Sequence, residues 1–228
     1  MKKWLENLLG ISPKSKEVEL VDATIKQKED FLAFAGKLEI IIVSDNHEAK
    51  TGIESVLAHH PDADYYFHCG DSNLDPASEM MKRFIAVKGN TDYSYDFEPQ
   101  VWVDLPSGER VFMAHGDGHG VHQGIERLIT WVTPGGFSPI FSDRKTPVTK
   151  IIFYGHTHVV HVTMEQEILV INPGSIALPR GESRIRSYAR LEITPECYDI
   201  QIINAMDHTI VEEFQFPREW PQLHQDQE

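Results

Sequence analysis

The chain has 228 residues, and its 35 acidic against 21 Lys and Arg side chains give a formal net charge of −14. With 41% hydrophobic and 25% charged residues it has the makeup of a globular protein with a sizeable core, not of a fibrous or disordered one. The negative field opposes nucleic-acid backbones, and no apolar run approaches the roughly 20 residues of a membrane span.

Cys69 and Cys197 lie far apart and outside any CxxC pair, which argues against a disulfide framework and a thiolate zinc site. Glu6 and Asn7 interrupt the stretch that a signal peptide would keep apolar, so the chain is expected in the cytoplasm. Residues 1–36 read as an N-terminal helical extension, with pieces over 2–9 and 18–34 broken at Ser12-Pro13. Trp4, Leu5, Leu8 and Leu9 share one helical face, available to a membrane, a partner or the protein's own body; packing on the body is the default expectation.

The main domain is expected over 37–196. The β-branched run "LEIIIVS" predicts a buried strand, and "DNHE" follows it at once. Then come an amphipathic helix over Lys50–His60, a strand and loop in "ADYYFHCGD", a short helix over Asp75–Lys82, and a strand and loop in "RFIAVKGNTD". Strand, acid-rich loop and helix repeating in that order mark an α/β sheet whose ligands gather at the carboxyl ends of its strands.

"RVFMAHG" and "KIIFYGH" are strands separated by a helix from about Val121 to Val132 and a Pro/Gly-rich loop, Thr133 to Pro147. "VVHVTM", "ILVINPG", "SYARLEI", "CYDIQII" and "IVEEFQF" are short strands with turns between them, a texture that suggests antiparallel pairing. Residues 197–228 should add their strands and tail to the same domain, with Pro217 to Glu228 polar and frayed. Two stacked sheets flanked by helices would bury all these runs.

Each of the first five strands ends in candidate metal ligands: Asp45 and His47, Asp71, Asn90, His115, then His156 and His158. One strand-end Asp or His is ordinarily a turn former, but five in succession ask for a chemical account. Oxygen and imidazole ligands without thiolate suit Mn²⁺, Fe or Zn²⁺ in a hydrolytic centre. The i, i+2 spacing of Asp45/His47 and His156/His158 is read as strand alternation carried into the loop, aiming each pair to one side. Gly70, Gly89, Gly116 and Gly155 would let backbone approach ions closely. There is no GxSxG elbow, no GxxxxGK[ST] loop and no GxGxxG after a strand, so serine hydrolase, P-loop and dinucleotide-binding chemistry find no support.

The ordered set "SDNH", "CGDSN", "KGNTD", "AHG", "YGHTH" and "NPGSIALPRG" resembles the calcineurin-like metallophosphoesterases, and most closely their small phosphodiesterases of the YfcE type, over about Leu38 to Ile193. The resemblance implies an α/β fold, a two-sheet β-sandwich flanked by helices in four αββα layers. It also implies two divalent ions bridged by Asp71, one with Asp45, His47 and His158, the other with Asn90, His115 and His156. Mn²⁺ stands first, with Fe or Zn²⁺ also compatible. The nucleophile would be a metal-activated water, with no Ser or Cys nucleophile required.

Two departures bear on the chemistry. Related phosphatases often carry a His after the Asn of the GN motif as proton donor, where this chain has Thr91-Asp92; Asn90 remains the catalytic candidate of that loop, and the general acid has no name. Where the family often has HGH, this chain has His115-Gly116-Asp117-Gly118-His119, so His119 is either an acid or substrate contact or an exposed loop histidine. In "NPGSIALPRG", Asn172 and Arg180 are candidates to close over the site and meet a phosphate, the alternative being a turn with Arg180 in a surface ion pair. His68 is read as facing away from the metals, and Cys69 as small-residue packing.

The expected function is therefore dimetal phosphoesterase action on the diester, and also monoester, bonds of a small substrate. A non-catalytic scaffold on the same fold, as in the retromer subunit, and a nuclease are the alternatives. Segments before Leu38 and after Ile193 are left to cap the core, form a homo-oligomer or shape the substrate entrance.

Overall fold

In strand β1 (Leu38–Val43) alternate side chains enter different cores: Leu38, Ile40 and Ile42 point to one side, Ile41 and Val43 to the other. The β-branched run Ile40–Val43, apolar at every position, is what a strand buried on both faces requires. The computed structural model describes residues 25–93, 96–133 and 147–220.

β1 pairs in parallel with β2 (Tyr65–His68), which pairs in parallel with the short β3 (Ile85–Ala86). On its other side β1 pairs antiparallel with β9 (Ser187–Ile193), followed by β10 (Cys197–Asn204) and β11 (Ile210–Pro217). The six-stranded sheet thus runs β11-β10-β9-β1-β2-β3. The second sheet holds β4 (Gln100–Asp104), β5 (Arg110–Ala114), β6 (Thr149–Phe153), β7 (Val160–Glu165) and β8 (Ile168–Pro173) in the order β4-β5-β6-β8-β7. β5, β6 and β8 are parallel, and β4 and β7 are antiparallel edges.

Three apolar clusters correspond to three interfaces between four layers. Ile40, Ile42, Phe67, Val111, Met113, Ile151, Phe153 and Ile171 fill the space between the sheets. Helix α2 (Lys50–His59) lays Ile53, Val56 and Leu57 on the outer face of the six-stranded sheet. Helix α3 (Glu126–Val132) lays Leu128, Ile129 and Val132 on Phe112, Ile152 and Val170 of the other. Helix α1, residues 25–33, brings Phe31 against Trp220 with ring centroids 5.3 Å apart. No helix among the described residues is long and apolar enough to cross a membrane.

Several expectations change. The segment 75–82 is a series of turns ending in a 3-10 turn, Met81–Arg83, not a helix. There the Asp75 and Ser78 side chains accept the amides of Ala77 and Met81 and compete with helical bonding. The helix expected from Val121 begins at Glu126, because Gly124 at φ +126° separates it from the 3-10 turn Val121–Gln123. The polar tail is anchored at its start. Arg218 is buried, its Nε 2.6 Å from Glu109 Oε1, and its guanidinium stacks 3.8 Å above the Phe31 ring. The apolar face of Trp4, Leu5, Leu8 and Leu9, the loop over 134–146 and His224 lie outside the described residues.

Candidate metal centre

The parallel strands of both sheets deliver their carboxyl ends to one edge, and the loops leaving β1, β2, β3, β5 and β6 meet there. Asp45, His47, Asp71 and His158 each offer a ligand atom there, all within 4.8 Å of one another, a group that could hold a metal ion. His158 Nε2 is 3.1 Å from Asp45 Oδ1 and 3.4 Å from His47 Nε2. Beside this group, His115 Nε2 lies 3.4 Å from Asp71 Oδ2 and 3.2 Å from Asn90 Oδ1, and His156 Nδ1 lies 2.9 Å from the same Asn90 oxygen. All seven strand-end candidates therefore converge.

They converge by a route other than strand alternation. Asp45, His47, Asp71, His156 and His158 all adopt positive φ, between 41° and 65°. The chain turns sharply in the left-handed region, which Asp, Asn and His tolerate better than most side chains. Two of the glycines, Gly89 and Gly155, make room for the carboxylates. A Cβ on Gly89 would overlap the Asp71 carboxylate, and one on Gly155 would overlap Ser44 Oγ and crowd Asp45.

Hydrogen bonds from outside the group aim its donors. His115 Nδ1–H donates to the Cys69 carbonyl at 2.8 Å and His158 Nδ1–H to the Leu178 carbonyl at 2.6 Å, so both rings turn Nε2 inward. Thr91 N donates to Asp71 Oδ1 at 2.7 Å, leaving Oδ2 toward the histidines. Asp45 Oδ2 accepts from Ser44 Oγ and from His156 N. Asp45 Oδ1 is buried and has no hydrogen-bond partner among the described residues.

Charge follows geometry. Burial pushes the Asp71 carboxyl upward, but His115 and the Thr91 amide outweigh it and hold it well below the usual carboxylate range. Burial lowers His115, yet Asp71 and Asp45 reverse this and bring it to about 9. His158 is likewise raised against burial by Asp45.

A cavity of about 160 Å³ opens over the group, lined by His47, Asp71, Asn90, Thr91, His122, His156, His158, Leu178 and Arg180. Arg180 lines this cavity. Asn172 does not: fully buried, it donates to the Gly155 carbonyl and Thr157 Oγ1 and accepts from Gly174 N. It shapes the loop that carries His156 and His158. His119 is outside the cavity lining, its ring edge-on to Phe112 and Trp131. His122, which no sequence spacing picked out, lines the cavity instead, its ring centroid 4.5 Å from that of His156. His68 is buried, its Nδ1 accepting from Gly70 N and its Nε2 donating to Asn46 Oδ1, so it buttresses the β1 and β2 loops.

The family model described as the calcineurin-like phosphoesterase superfamily domain matches residues 38–196. A probable metallophosphoesterase of Bacillus subtilis, YsnB, is 26% identical over 174 residues, 76% of this chain and 95% of that protein. A conserved protein of Streptococcus pneumoniae described as a predicted phosphoesterase superposes with a TM-score of 0.70 at 29% identity, covering 80% of this chain and 98% of its own. The phosphoesterase Yfce of E. coli shares the fold at 22% identity, with a TM-score of 0.54 over 78% of this chain and 98% of that one.

Proposed function

Since the chain belongs to the calcineurin-like phosphoesterase superfamily, we propose that it is a divalent-metal-dependent hydrolase of phosphodiester, and also monoester, bonds in a small substrate. Asp45 Oδ1 carries the proposal: a buried carboxylate oxygen without a hydrogen-bond partner among the described residues, beside imidazoles whose Nδ1–H groups are committed to carbonyls so that Nε2 faces inward, fits a cation. Asp45, His47, Asp71 and His158 would hold one ion. Asn90, His115 and His156, sharing Asp71, would hold a second. Ions bound there supply Lewis acidity toward a phosphoryl oxygen and toward water.

The chain's own groups do the positioning. Arg180 offers a planar fork of donors at the cavity rim for the phosphoryl oxygens. Its backbone amide is bonded to the His158 carbonyl at 2.9 Å, so the arginine is registered to the ligand loop. Asp71 is held ionised, the state in which it would serve as a metal ligand. Leu178 adds an apolar surface to the cavity lining.

The test is hydrolysis of bis(4-nitrophenyl) phosphate and 4-nitrophenyl phosphate by metal-stripped protein, with Mn²⁺ restored and Asp71→Asn as control. Diester cleavage that requires both metal and Asp71 supports the proposal. No turnover of either ester by protein with two bound ions would overturn it in favour of a metal-binding scaffold.

A further inference from the structure

A cavity of about 160 Å³ has room for a phosphoryl group but not for both organic arms of a diester as well. Whatever the phosphorus carries must leave over a wall. The wall formed by Leu178 and Arg180 belongs to a second, larger groove of about 420 Å³, lined by Leu178, Pro179, Arg180, Gly181 and Arg184. The two spaces share both residues, so the groove is the natural continuation of the metal cavity.

This groove has a definite chemistry. Arg180 and Arg184 line it, while Glu182 and Ser183 between them do not. Neither arginine makes an ion pair among the described residues. Arg184 is exposed and adopts φ +48°, following Gly181 at φ +81°, so the turn itself is left-handed at two points. In a chain of net charge −14, two arginines lining one groove beside a candidate cation site are a local reversal of sign.

The groove is also anchored. Leu178 N and Ala177 N donate to Ser175 Oγ, and Ser175 Oγ donates to the Asp45 carbonyl at 2.7 Å. The Leu178 carbonyl accepts from His158 Nδ1, and Arg180 N donates to the His158 carbonyl. Its near end is therefore fixed to two residues of the metal group.

We propose that this groove is a second anion subsite, built to take a phosphate on the arm of the substrate that is not being cleaved, with Arg184 as its outer contact. The substrate class would then be a phosphate ester bearing a second phosphate, not a neutral or cationic alkyl ester. The proposal rests on the phosphoesterase assignment for the inner cavity and adds the selectivity of the outer one. Arg180 stands between the two phosphates and serves both.

The experiment compares binding of adenosine 5′-monophosphate and adenosine 3′,5′-bisphosphate to Mn²⁺-loaded protein by calorimetry, for wild type, Arg184→Met and Arg184→Lys. One additional charge-assisted contact predicts that wild type binds the bisphosphate about tenfold more tightly or better. Arg184→Met should lose most of that ratio, and Arg184→Lys, which keeps the charge but not the fork, should retain part of it. Equal affinities in wild type, or the same ratio in wild type and Arg184→Met, would overturn the subsite. Cleavage of bis(4-nitrophenyl) phosphate by the same preparation reports separately on the inner cavity. Turnover without a bisphosphate preference removes the subsite alone, whereas a preference that vanishes with Arg184→Met in protein without turnover keeps the subsite and removes the hydrolase assignment.

Discussion

The Asp92 carboxylate accepts the backbone N–H of Asp71 at 2.9 Å. The same oxygen accepts Gly89 N at 2.8 Å, and the other accepts Asn73 N at 2.6 Å and Ser72 Oγ at 3.1 Å. One buried side chain therefore ties the β2 loop, with Asp71, to the β3 loop, with Asn90, without lining the cavity itself.

Asp92→Ala should lower Mn²⁺ affinity by about 10–100-fold, the usual cost of losing an outer support of a metal site. Titration calorimetry measures this directly. Unchanged affinity in a folded variant would show that the Asp71 loop holds its shape unaided.

Gly89→Ala should both destabilise the protein by about 1–3 kcal/mol or more and abolish metal binding, because the new Cβ overlaps the Asp71 carboxylate and amide. Gly118→Ala is the control, since nothing among the described residues lies within 4 Å of its added Cβ. Urea midpoints for the two variants should diverge; equal midpoints would contradict the crowding.

Asn172→Ala removes two donors and an acceptor from the loop between Gly155 and Gly174. A loss of about 1–3 kcal/mol is expected from the buried groups left unpaired. If Asn172 touched substrate instead, stability would hold and KM alone would rise.

His119→Phe should change diester hydrolysis by less than about threefold, or about 0.6 kcal/mol of barrier, since the ring packs on Phe112 and Trp131 outside the cavity. A rate loss of two or more orders of magnitude would return His119 to the chemistry.

His68 makes stability depend on acid. Burial lowers it to about 4, with Asp92 and Asp45 pulling weakly the other way. As pH falls below the unfolded value near 6.5, the unfolded chain takes a proton that the native protein refuses. Native stability is therefore lost between about pH 6.5 and 4, by up to about 3 kcal/mol for a shift of this size. Urea unfolding followed over that window should show a smaller decline in His68→Gln than in wild type. Parallel declines would assign the acid sensitivity elsewhere.

The strands were legible because their patterns are local: "LEIIIVS" is apolar on both faces, and β1 is buried on both. The seven strand-end candidates were legible for the same reason, since parallel strands send their carboxyl ends to one edge. The segment 75–82 was not, because Asp75 and Ser78 bond to nearby amides, a competition that composition alone does not weigh. Nor was the anchoring of Arg218, whose partner Glu109 lies more than a hundred residues away.

Residue type and order thus determined which side chains would gather, because each stands one to five residues beyond a strand and the sheet carries it there. Tertiary structure alone decided what each does on arrival. His119 and His122 occupy the same short stretch, but Gly120 at φ +67° redirects the chain between them, and the one meets Phe112 and Trp131 while the other meets His156. Asn172 and Arg180 belong to one motif, but burial commits the first to the backbone and exposure leaves the second free to meet an anion. Distances across sheets and the sign of φ in a turn arise from packing the whole chain, so no local pattern encodes them.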